Sequence, residues 1–199
     1  MQNFSFSSEL DLENFLKNKK FKKIFILCGK KSYVASGAKK ILSRYLKNKI
    51  TKHYFKHLPY PEISELKKII ISLRKFSPNL IIAVGGGSVL DYAKMANTLE
   101  ITENLDKQIV NYSYPIMKKL SLLVAIPTTA GSGAEVTSNA VIYVKKIKYS
   151  IESEMIKPDY FFLIPKLVIS GSKKIKSSAG FDVIAQAIES LISKKSNSK

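Results

Sequence analysis

Gly85-Gly-Gly-Ser88 follows directly on the apolar run Leu80-Ile-Ile-Ala-Val84 and precedes a segment in which Leu90, Ala93, Met95 and Ala96 have helical spacing. That order puts a glycine turn between a buried strand and a helix. Glycines let the backbone approach a ligand closely, and the free N–H groups at a helix start favour an anion, so the chemistry on offer is the cradling of a phosphate. A second polar stretch, Pro127-Thr-Thr-Ala-Gly-Ser-Gly133, closes the apolar run at residues 120–126 and brings the hydroxyls of Thr128, Thr129 and Ser132 to the end of another strand. A purely structural turn would use the same residue types, so each stretch alone says little.

The remaining reactive side chains are few. Cys28 is the only cysteine, which excludes an internal disulfide and a cysteine-cluster metal site. Its place in the apolar run 24–28 reads as a buried thiol. His53 and His57 are the only histidines, four residues apart. On a helix that spacing could hold a metal, but residues 52–55 read as a strand and the stretch before Pro59 shows no carboxylate nearby. A surface or edge-strand role is expected for both.

Taken together, Gly85-Gly-Gly-Ser-Val-Leu-Asp-Tyr-Ala-Lys94, Ile126-Pro-Thr-Thr-Ala-Gly-Ser-Gly-Ala-Glu-Val-Thr137, Ala179-Gly-Phe-Asp182 and Ala187-Ile-Glu189 resemble, in order and spacing, the successive motifs of the iron-containing (group III) alcohol dehydrogenases. The likeness runs from about residue 23 to residue 193. It implies a Rossmann-like, dehydroquinate synthase-like architecture and an NAD(P)H cofactor. By that resemblance Gly85, Gly86, Gly87 and Ser88 cradle the dinucleotide pyrophosphate, and Asp91 faces the cofactor and substrate cleft. Thr128 and Thr129 contact the nucleotide, and Ser132, Thr137 and Lys148 occupy further cofactor positions. Family members often carry an aspartate where Gly29 stands, to accept the adenosine ribose hydroxyls. Gly29-Lys30-Lys31 removes that carboxylate and adds two cations, which predicts that NADP(H) is tolerated or preferred.

The resemblance also implies a divalent metal, iron or zinc, held by an aspartate and a histidine four residues apart and by two further histidines of a helical domain. Asp182 matches the aspartate. Gln186 stands at the histidine position, and an amide oxygen is a much weaker ligand than imidazole for these metals. The family reaction is hydride transfer between the nicotinamide and a small alcohol or aldehyde, with the metal as Lewis acid. No catalytic residue is assigned. The chain is expected to be a truncated member, weakly active or inactive alone, with a homodimer or a complementing C-terminal fragment as its partner. Two readings compete with it: a dehydroquinate-synthase-like lyase or cyclase, and a non-catalytic nucleotide-binding or basic nucleic-acid-binding protein.

These residues must be positioned by an alternation of strands and helices. A helix at residues 9–16, capped by Ser7 or Ser8, leads to a strand at 23–28 and a helix at 35–46. A strand at 52–55, a helix at 62–75 opened by Pro61, and the strand at 80–84 follow. Residues 140–144 and 148–152 read as a hairpin, and residues 157–165 as a last strand returning to the sheet. The fold class is therefore α/β, a mostly parallel sheet with helices on both faces, followed by the start of an all-helical domain. The dinucleotide-binding domain is expected at residues 1–170. Residues 171–199 begin the helical, metal-binding domain, with Val183, Ile184, Ala187, Ile188, Leu191 and Ile192 as an apolar face and a polar tail at 194–199.

Composition sets outer bounds. The 45% hydrophobic content over 199 residues suffices for a sizeable core. No apolar run approaches the roughly 18 residues of a membrane span, and the N-terminus lacks a secretory pattern, so a cytoplasmic location without a membrane partner is expected. The net charge of +18 raises nucleic acid as a partner. Lysines are spread along the whole chain and arginine appears only as Arg44 and Arg74, so a solvated surface that attracts anionic alcohols or aldehydes is the better reading.

Overall fold

The structure, a computed structural model, describes residues 4–6 and 8–193. The expected cap at Ser7 and the polar tail at 194–199 lie outside the described residues. Eight strands form among them: β1 (Phe4–Phe6), β2 (Lys23–Gly29), β3 (Ile50–Lys56), β4 (Leu80–Gly85), β5 (Leu122–Pro127), β6 (Asn139–Val144), β7 (Ile147–Glu152) and β8 (Tyr160–Phe162). Six build one parallel sheet in the order β1-β8-β5-β4-β2-β3, while β6 and β7 form a separate antiparallel hairpin.

Short apolar runs become central strands here because both faces are covered. Side chains alternate across the sheet, so Phe25, Leu27, Ile81, Ala83, Leu123 and Ala125 point one way and Ile24, Ile26, Ile82, Val84, Val124 and Ile126 the other. The first set packs on α4 (Ile63–Phe76), α5 (Gly87–Thr98), α6 (Leu105–Val110) and the hairpin. The second packs on α1 (Glu9–Asn18), α2 (Lys30–Ala35), α3 (Ala38–Tyr45) and α7 (Pro165–Ile169). Cys28 belongs to this second layer, fully buried, and burial pushes its thiol up to about 12. It is a packing residue.

The helix expected over 35–46 forms as α3, from Ala38, and the short α2 before it was not foreseen. Gly37 takes the left-handed conformation, with φ of 85°, which breaks the helical path between α2 and α3. The strand β1 and the helix α6 were not foreseen. Ser8 caps α1 by accepting the Asp11 amide at 3.1 Å.

The order of strands locates a crevice. From β2 the chain moves outward to β3, then crosses back over β2 to β4 and continues to β5. The winding therefore reverses between the carboxyl ends of β2 and β4, which are Gly29 and Gly85. Ligands of open α/β sheets bind outside such a switch point. Beyond α7 the chain enters α8 (Lys173–Ile192), none of whose residues is buried; Phe181, Ile184, Ile188 and Leu191 all stand exposed. No helix among the described residues is long and apolar enough to cross a membrane.

Candidate functional site

Gly85 ends β4, Gly86 is extended, and Gly87 opens α5 with no side chain capping the first turn. The first-turn N–H groups of a 12-residue helix thus face the switch-point crevice without a protein side chain bound to them. The loop after β5 folds over this turn. Thr128 donates its amide to the Gly85 carbonyl at 2.9 Å. A Cβ on Gly86 would stand 3.0 Å from Thr129 Oγ1, and one on Gly87 would stand 2.7 Å from Ser132 Oγ. The glycines are needed because the two hydroxyl-bearing side chains occupy that space. Structure thus brings together Gly85, Gly86, Gly87, Ser88, Thr128, Thr129 and Ser132.

A cleft of about 700 Å³ opens beside them, lined by Gly87, Thr129, Ser132, Lys174, Ser178 and Asp182 among others. Its far wall is α8. The helix is set against the loop at Gly131, where an added Cβ would meet the Ala179 carbonyl oxygen at 3.1 Å. Lys174 and Ser178 were not singled out in the sequence. One lysine among many gives no signal until α8 is placed.

Asp91 lies on the second turn of α5, only 9% exposed, with the Val141 amide close enough to favour its charge. Burial pushes its carboxyl up to about 6, against the opposing pull of Lys94, that amide and Lys148. One turn on, Lys94 is fully buried, and burial pushes its ammonium down to about 8 while Asp91 and Glu135 favour the charge. Its Nζ donates to Thr137 Oγ1 at 2.9 Å and to the Asn139 carbonyl at 2.7 Å. Thr137 and Lys148 are therefore grouped around α5 rather than at the glycine turn itself. Lys94 was quoted within the glycine motif yet given no role.

Gly29 sits across the switch point. Ser32 donates its hydroxyl to the Gly29 carbonyl at 3.2 Å, and a Cβ at Gly29 would meet that oxygen at 2.7 Å. Lys30 and Lys31 follow, both exposed.

A doubly wound parallel α/β fold with a glycine turn at its switch point defines the class. Within it, the chain belongs to the iron-containing alcohol dehydrogenase family, whose model matches residues 4–165. It is 34% identical over 135 residues to an alcohol dehydrogenase of Thermococcus barophilus, covering 65% of this chain and 36% of that protein. It is 36% identical over 141 residues to 1-propanol dehydrogenase of Citrobacter freundii, covering 70% of this chain and 35% of that enzyme. The solved structure of sulfoacetaldehyde reductase from Bifidobacterium kashiwanohense in complex with NAD+ superposes with a TM-score of 0.83 at 25% identity, covering 99% of this chain and 53% of that one. The chain thus spans about a third of the curated relatives' length and about half of the solved one. The match sets the dehydroquinate synthase reading aside.

The donor set does not fit a bound iron or zinc. Asp182 and Gln186 are exposed on α8, and no group of three or more His, Cys, Asp or Glu among the described residues is placed to hold a metal. His53 lies beside Tyr33 and stacks on Phe55, and burial lowers its basicity. His57 donates its backbone amide to Glu65 at 2.6 Å. Neither joins Asp182.

Proposed function

We propose that this chain binds NAD(P)H at the switch point and supplies the cofactor side of an alcohol dehydrogenase or aldehyde reductase. The observation that carries the reading is the glycine turn opening α5, whose missing Cβ positions are filled by Thr129 and Ser132. Gly86, Gly87 and Ser88 hold the pyrophosphate through backbone N–H groups, and Thr128, Thr129 and Ser132 add hydroxyls. Asp91 lies on the same helix, and Thr137 and Lys148 lie beside it. The bound cofactor supplies the hydride exchanged with a carbonyl or carbinol carbon. Asp182 and Gln186 do not make a site for a metal.

At Gly29 there is no carboxylate to repel a 2′-phosphate, and Lys30 and Lys31 stand exposed next to it. The reading is therefore NADP(H) tolerated or preferred. The substrate is a small alcohol or aldehyde, and the +18 charge together with Lys174 in the cleft favours an anionic one. Sulfoacetaldehyde reductase, a solved relative, is named for such a substrate. Titration calorimetry with NADPH and NADH tests both points. Saturable binding with NADPH at least as tight supports the reading, a marked preference for NADH rejects the 2′-phosphate argument, and no binding of either rejects the whole.

A further inference from the structure

A two-stranded hairpin has two outer edges, and that of β6 faces α5. Ser153 donates its amide to the Ser138 carbonyl at 2.9 Å, so the backbone groups of residue 138 turn toward β7. Backbone direction alternates along a strand, which turns those of Asn139, Val141 and Tyr143 outward. Each outward residue meets a partner in the sheet domain. The Asn139 carbonyl accepts from Lys94, the Val141 amide lies near enough to the Asp91 carboxyl to favour its charge, and the Tyr143 amide donates to the Pro61 carbonyl at 2.7 Å. A carboxylate and an ammonium one helical turn apart therefore stand in for a neighbouring strand.

We propose that Lys94 is a positioning residue: with Asp91 it docks the outer edge of β6 on α5 and so fixes Thr137 and Lys148 beside the cofactor helix. Lys94 binds Thr137 directly, at 2.9 Å, and Lys148 lies on β7 close enough to pull on the Asp91 carboxyl. An unpaired edge strand is otherwise a liability, since its N–H and C=O groups need partners. A fully buried lysine is costly unless its hydrogen bonds have a purpose. Here they close the edge and hold the threonine hydroxyl. The effect on cofactor affinity rests on the nucleotide-binding reading, whereas the docking itself does not.

The test uses the full chain and three variants, Lys94→Met, Lys94→Arg and Asp91→Asn, with amide hydrogen exchange of residues 137–144 as the direct readout. Lys94→Met is expected to speed exchange of the Val141 and Tyr143 amides by about tenfold while β4 and β5 stay protected. It is also expected to weaken NADPH binding by about tenfold. Lys94→Arg, which keeps donors and charge, restores most of the protection. Should Lys94→Met fail to fold, Asp91→Asn gives the parallel readout at the Val141 amide. Unchanged exchange at Val141 and Tyr143 in whichever variants fold overturns the proposal. Wild type that binds no NADPH, with exchange still accelerated in Lys94→Met, refutes the cofactor reading and leaves the docking role standing.

Discussion

The Ser132 hydroxyl lies 2.7 Å from the point where a Cβ on Gly87 would stand, and Ser132 Cβ lies at 3.1 Å from it. Alanine at position 87 must therefore push the loop after β5 away from the first turn of α5. Gly87→Ala is expected to weaken NADPH binding by about tenfold, read by titration calorimetry. Ser132→Ala in the same chain removes the nearer clash but also the hydroxyl proposed to contact the cofactor. The double variant should recover thermal stability without recovering affinity, a non-additivity that separates packing from binding. Equal affinity of Gly87→Ala and wild type contradicts the cradle.

Asp91 gives the fold a pH dependence of definite sign. Burial raises its carboxyl from 3.8 to about 6, so the folded chain holds that proton more tightly than the unfolded chain does. The stability this contributes is fully present below 3.8 and is lost as pH rises through about 6. Asp91→Asn cannot ionise. The unfolding free energy of the variant should therefore gain on that of wild type by about 3 kcal/mol between acid and neutral pH. Urea denaturation of both proteins across that range measures the difference, and a difference independent of pH contradicts the assignment.

The central strands were legible because β2, β4 and β5 are short apolar runs, and glycine or proline closes each. Gly85-Gly-Gly-Ser88 was legible for the same reason. Two kinds of feature were not. The three-residue β1 and the six-residue helices α2 and α6 carry too few positions for a strand or helix period to emerge, and where α3 starts depends on Gly37 taking φ of 85°. Lys94 escaped because charge predicts exposure in a chain with 33 lysines and arginines. A signal was present: Asp91 and Lys94 interrupt a helix whose other residues from Val89 to Ala96 are apolar, so whichever face they occupy must bury them. The exposed apolar face of α8 shows the reverse. Spacing identified the face, and no element among the described residues covers it.

Gln186 makes metal content a direct check. A lone carboxylate at Asp182, exposed and followed by an amide one turn later, offers one strong donor where iron or zinc requires several. After incubation with ferrous iron or zinc and removal of free ion, the chain is expected to retain well under one equivalent by elemental analysis. Gln186→His adds an imidazole and should raise retention of zinc measurably, yet still short of stoichiometry. One full equivalent bound by wild type and lost in Asp182→Asn contradicts this account.

The hairpin turn stores strain that substitution can relieve. Lys145 and Lys146 link β6 to β7, with φ of 49° and 68°. Two-residue hairpin turns with both positions left-handed favour asparagine followed by glycine, because a Cβ crowds the carbonyl in that conformation. Both lysines are exposed. Lys145→Asn with Lys146→Gly is therefore expected to stabilise the chain by about 1 kcal/mol, the scale of a single relieved left-handed residue. It also removes two positive charges beside Lys148, so measurement at high salt separates backbone relief from reduced repulsion. Chemical denaturation at both ionic strengths reads the result: a gain that persists in salt is conformational, and destabilisation there would mean that the turn does not hold this geometry.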